Sequence, residues 1–105
     1  MKRKLGLLLS LPPAHTSVTT VHGLAQAALL AGYEVYLYLI DEGVKNIHTS
    51  QYQTLAQSGV KVFACAYGCQ RHHVSIENLD PHISLCGLVV LSGIIDACEP
   101  FLSFT

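Results

Sequence analysis

The sequence has 105 residues, a net charge of −1, half of its residues hydrophobic and only 12% charged. That length sets a single domain over residues 1–105, and the apolar content excludes intrinsic disorder. Six Lys and Arg in all cannot build the basic footprint that nucleic-acid phosphates require, which leaves no nucleic-acid partner.

An average soluble domain carries about 25% charged residues, so a surface this poor in charge is expected to be partly covered by copies of the chain. Lys2, Arg3 and Lys4 followed by Leu5 to Leu11 resemble the start of a secretory signal. The apolar stretch is short, however, and Pro12-Pro13 follows without a small-residue cleavage site. The charge-free stretch Pro81 to Ile95 is broken by Ser84, Gly87, Ser92 and Gly93 and falls short of the roughly 20 apolar residues a membrane helix needs. The expected location is cytoplasmic, with no membrane partner, in a compartment that keeps thiols reduced.

In chain order, Lys4 to Leu11 is a nearly unbroken apolar run and reads as a strand buried on both faces. Thr16 or Ser17 caps a helix over 17–31, with Val18, Val21, Leu24, Ala25, Ala28 and Leu29 at helical spacing and Gly32 as its stop. Glu34 to Ile40, EVYLYLI, is the second strand, closed by a turn at Asp41-Glu42-Gly43. A polar helix over 49–58 and a strand over 60–64 repeat the alternation. A short helix over 69–74 then precedes a polar stretch to Asp80-Pro81. The last elements are a strand over 82–85, a helix over 87–98 and a strand over 101–104 after Pro100. The expected fold is α/β, a three-layer α/β/α sandwich with a five-stranded, mainly parallel sheet, whose reactive residues gather at the carboxyl ends of the strands.

Four cysteines, at 65, 69, 86 and 98, are the main chemical signal. Cys65 ends the third strand before a helical stretch, where backbone N–H groups favour an anion. Arg71, His72 and His73 follow and add positive potential that stabilises a thiolate. Cys69, four residues on, is placed by helical spacing on the same face as Cys65, within disulfide distance, as a possible resolving thiol. Its dull reading is a packed side chain. Cys65, Cys69 and His72 or His73 would also make a Cys₂His metal set with an open position, although no second ligand pair at a familiar spacing accompanies it. Cys86 and Cys98 fall on apolar segments and read as core. His15 and His22 flank the first helix near the same crevice, and Asp41-Glu42 reads as turn chemistry rather than an acid/base pair. No G-x-G-x-x-G, P-loop lysine or G-x-S-x-G motif is present, and no cofactor is expected.

Four segments together resemble one family: GLLLSLPPAHTS with the helix GLAQAALLAGYEV, LIDEGVKN, VKVFACAYGCQRHHV, and NLDPHISLCGLVVLSGIIDACEPFLSF. They are similar to the DsrE/DsrF-like sulfur-relay proteins, TusD/DsrE type, over almost the whole chain. The resemblance implies a three-layer α/β/α fold, trimers or hexamers, and a persulfide carried on a cysteine at the end of a strand, matched here by Cys65. Two departures stand out. The basic pair usually followed by Gly is Arg71-His72-His73 here, and Cys69 is an extra thiol. The segment after Asn46 is also short, without the docking insert of some relay subunits. The implied activity is a sulfurtransferase-like carrier between persulfide donor and acceptor proteins, with Arg71 and His72 stabilising the Cys65 thiolate. The rival readings are a non-catalytic oligomeric module of the same fold and a Cys/His metal-binding protein.

Overall fold

The computed structural model describes residues 2–105. Its elements are β1 (Lys4–Leu9), α1 (Thr16–Leu30), β2 (Glu34–Leu39), a 3-10 helix (Asp41–His48), α2 (Ser50–Ser58), β3 (Lys61–Cys65), α3 (Ala66–Arg71), β4 (Ile83–Cys86), α4 (Leu88–Ala97) and β5 (Phe101–Phe104). All five strands pair in parallel, in the order β4-β3-β2-β1-β5, so the mainly parallel expectation becomes an entirely parallel sheet. From β1 to β4 each connection steps one strand outward, and right-handed crossovers keep α1 and α2 on one face. The return from β4 to β5 runs the opposite way and carries α4 to the other face.

Strand alternation sorts the side chains. One face carries Leu5, Leu7, Leu9, Val35, Leu37, Leu39, Val62 and Ala64, all buried. It is closed by Val18, Val21 and Ala25 of α1 and by Tyr52, Leu55 and Ala56 of α2. Tyr52 can sit in that layer because its hydroxyl donates to the Val18 carbonyl at 2.7 Å, tying the two helices together. The opposite face carries Gly6, Tyr36, Tyr38, Phe63, Cys65, Ser84 and Cys86. Here α4 lies close to β1: a Cβ on Gly6 would stand 2.9 Å from the Cβ of Cys98 and 2.6 Å from the Phe101 ring. Only Ile94 of α4 is buried, and Tyr36 and Phe63, stacked at 6.5 Å, are left half-buried beyond it.

Several boundaries differ from expectation. β1 ends at Leu9, and Ser10 already turns its N–H to the Phe104 carbonyl at the sheet edge. The cap of α1 is neither Thr16 nor Ser17 but His15, whose Nδ1 accepts the Ser17 N–H at 3.0 Å. Asp41-Glu42-Gly43 opens a two-and-a-half-turn 3-10 helix rather than a simple turn. α3 lies three residues earlier than its expected 69–74 span, because the strand passes into helix at Cys65 without a loop. It stops where His73 takes φ 55°.

Candidate functional site

In an open parallel sheet the crevice forms where neighbouring strands send their connections to opposite faces. Here that point lies between β3 and β4. A cavity of about 420 Å³ opens there, walled by Ile40 and Asp41 after β2, by Cys65, Tyr67, Gly68 and Arg71 along β3 and α3, and by Gly87 and Leu88 at the start of α4. Of the four cysteines, Cys65 alone lines it. Cys65 has extended geometry, φ −69° and ψ 118°, at the N-cap of α3, and is 4% exposed. A nucleophile there is reached only by a group that projects into the cavity. Arg71, at the end of α3, shares the lining and supplies its positive charge.

The wall is fixed by the segment Glu42-Gly43-Val44-Lys45-Asn46. Gly43 is packed so closely on β1 that a Cβ would lie 2.0 Å from the Leu9 carbonyl oxygen, a position closed to any other residue. Asn46, fully buried, donates from Nδ2 to the Leu11 carbonyl at 3.1 Å and to the Gly43 carbonyl at 3.0 Å. These bonds tie the loop after β1 to the loop after β2. Gly68 lets α3 press on this support, its Cβ position lying 3.1 Å from Val44 Cγ1. Asp41, at the cavity edge, is held at φ 51°, a left-handed conformation stored beside the site.

His72 does not line the cavity: its Nε2 stands 2.6 Å from Asp41 Oδ1, on the wall, while Arg71 lines the cavity itself. Cys69 is 2% exposed within the core, and burial first, then the Cys65 charge, pushes its thiol above the ordinary value. Because Cys65 precedes the helix, the one-turn helical relation between Cys65 and Cys69 does not apply as the spacing suggested. His15 caps α1 and His22 packs on Tyr52 at 6.1 Å, so neither enters the crevice. Among the described residues no three of His, Cys, Asp and Glu converge to hold a metal ion. The Cys65, Cys69 and His72 or His73 set is therefore not assembled. Cys98 is core, as expected, at 6% exposure.

Sequence reading missed the neighbour of Cys65 across the sheet. Cys65 and Cys86 are register partners, the last residues of β3 and β4. Tyr38 of β2 spans the same face, its hydroxyl donating to the Gly87 carbonyl at 3.0 Å. Burial, with the Cys65 and Cys86 sulfurs beside it, pushes that phenol far above its ordinary range. Cys86 is raised by burial and partly relieved by the Tyr38 hydroxyl. The available signal was Tyr38 itself, a hydroxyl inside an apolar strand that must find a polar partner.

Fold and crevice together define a doubly wound α/β/α protein with a cysteine at its switch point. The chain belongs to the DsrE/DsrF-like family, which matches residues 3–104. Among solved structures it is similar to the YchN protein from E. coli, with a TM-score of 0.83 and 17% identity over 99% of this chain and 100% of that one. It is also similar to BT1422 from Bacteroides thetaiotaomicron, a conserved protein of unknown function (TM-score 0.75, 23% identity, 96% and 94% covered). A third likeness is to MTH1491 from Methanobacterium thermoautotrophicum, likewise of unknown function (TM-score 0.74, 11% identity, 99% and 98% covered). At these identities the likeness is one of fold. No curated protein matches the chain.

Proposed function

We propose that the protein is a persulfide carrier of a sulfur relay, taking sulfane sulfur on Cys65 and passing it to an acceptor thiol. The Cys65 thiolate attacks the outer sulfur of a donor persulfide. The donor S–S bond breaks, the donor leaves as a thiolate, and Cys65 holds the sulfur as Cys–S–SH. An acceptor thiolate then takes that outer sulfur and Cys65 is restored. The observation that carries this reading is that Cys65 is the one cysteine lining the crevice, with Arg71 on the same wall. Membership of a family commonly engaged in sulfur relay supports it.

Tyr67 and Leu88, 68% and 60% exposed, give the cavity mouth an apolar rim. Such a rim suits donor and acceptor proteins better than a free anion. Leu88, Val89 and Ile95 also leave α4 apolar toward solvent, which supports a homo-oligomer, a trimer or hexamer. A cytoplasmic setting suits a carrier that works through free thiols; among the described residues no helix is long and apolar enough to cross a membrane.

Intact-mass measurement after treatment with a persulfide donor tests the carrier. The wild type gains one sulfur atom, Cys65→Ser gains none, and Arg71→Ala gains it more slowly. Equal gain by Cys65→Ser ends the assignment.

A further inference from the structure

Across the sheet from Cys65, next to the cavity-lining Gly87, stands a second thiol that the carrier cycle leaves unused. β3 and β4 run in parallel with Cys65 opposite Cys86, and alternation sends both side chains to the same face. Adjacent strands lie about 4.8 Å apart, inside the Cα window of roughly 4.4–6.8 Å over which a disulfide closes. Both residues end their strands, and Gly87 follows Cys86 as the N-cap of α4. Cys86 is half-buried and directly precedes Gly87 of the cavity wall, whereas Cys69 is sealed in the core. Tyr38 lies beside both sulfurs, its hydroxyl bonded to the Gly87 carbonyl.

We propose that Cys86 is the resolving thiol of this site, attacking the Cys65 sulfur of a Cys65 persulfide to close a Cys65–Cys86 disulfide and expel sulfide. The step rests on the persulfide reading of Cys65. Cys86 gives up its proton to solvent and its sulfur bonds to that of Cys65. The Cys65–S–SH bond breaks, and the outer sulfur leaves as HS⁻. Cys86 is oxidised as the outer sulfur is reduced. A reduced dithiol of the thioredoxin class returns the pair to two thiols and is itself oxidised to a disulfide. The chain then has two outlets: transfer when an acceptor thiol occupies the crevice, and sulfide release when none does.

Wild type, Cys86→Ser and Cys69→Ser are loaded with a persulfide donor without acceptor. Released sulfide is followed, and disulfides are mapped by non-reducing peptide mass spectrometry. The expected result is a Cys65–Cys86 linkage in wild type and Cys69→Ser, with sulfide release roughly tenfold or more slower in Cys86→Ser, because an intramolecular attack is lost. In a separate arm, wild type is oxidised with diamide. There the same Cys65–Cys86 linkage is expected without any persulfide step. If loading fails but diamide closes Cys65–Cys86, the carrier reading falls while the pairing stands. A Cys65–Cys69 linkage in either arm, no Cys65–Cys86 linkage with diamide, or unchanged sulfide release from Cys86→Ser overturns the proposal.

Discussion

The two faces of the sheet are built to different standards. Under α1 and α2 the strands present a continuous aliphatic layer in which Leu7, Leu9, Leu37 and Leu39 have no exposure at all. Under α4 the layer is broken by glycine, tyrosine, serine and cysteine, and Lys61 sits over the Tyr36 ring at 4.8 Å. The first face supplies stability through dry apolar burial. The second face is only partly covered, and it is this face that holds Cys65, Cys86 and Tyr38 together. The proposed chemistry falls where the core is thin.

Deleting a side chain from each face measures that contrast. Leu37→Ala leaves a cavity in the sealed layer and is expected to cost about 4 kcal/mol in urea unfolding. Gly43→Ala forces a methyl against the Leu9 carbonyl and is expected to cost about 3 kcal/mol, the upper end for overpacking. It should also slow persulfide loading of Cys65, since the wall of the cavity moves with it. A denaturation midpoint for Gly43→Ala equal to wild type would show that the close approach is relieved elsewhere.

Alkaline titration probes the thiols of both faces at once. Burial raises Cys69, Cys86 and Cys98 above the ordinary thiol value of 9.0. Above that pH the unfolded chain sheds protons that the folded chain keeps. The stability these groups contribute is therefore whole below pH 9.0 and is lost as pH climbs toward and through their folded values. Thermal midpoints should be level with respect to these thiols at neutral pH and fall beyond pH 9.0, less steeply in Cys98→Ala. An equal slope in that variant would remove Cys98 from the account.

On the open face the effects shrink. Phe63→Ala, half-buried and stacked on Tyr36, should cost about 1 kcal/mol, as it surrenders only part of a buried aromatic. A loss as large as that of Leu37→Ala would mean that another surface covers this face in solution. His72→Ala breaks a pair whose Asp41 partner is 58% exposed and should cost about 0.5 kcal/mol in urea, with loading of Cys65 nearly unchanged. A large fall in loading would instead return His72 to the thiolate.

The difference between the faces also explains what could be read in advance. The aliphatic runs around Leu7 and Leu37, and the helix ending at Gly59, announce themselves through burial and periodicity, and they gave the layers, the strands and the position of Cys65. Gly43 read as part of a turn because glycine is a poor helix former, and nothing in the sequence marked Gly68. Both lie inside helical segments, where they permit contacts with residues distant in the chain. Cys86 was read as core from its apolar neighbours, since parallel register is a tertiary property. No local pattern within ISLC reports that its last residue lies opposite Cys65.

The Gly43–Asn46 brace bears on how relatives of this chain should be recognised. Its bonds join the loops after β1 and β2 and touch neither sulfur. A chain can thus keep E-G-V-x-N to hold its loops in place after its cysteines have been replaced. A search keyed to that segment retrieves shared architecture and carries no information on the residue that ends β3.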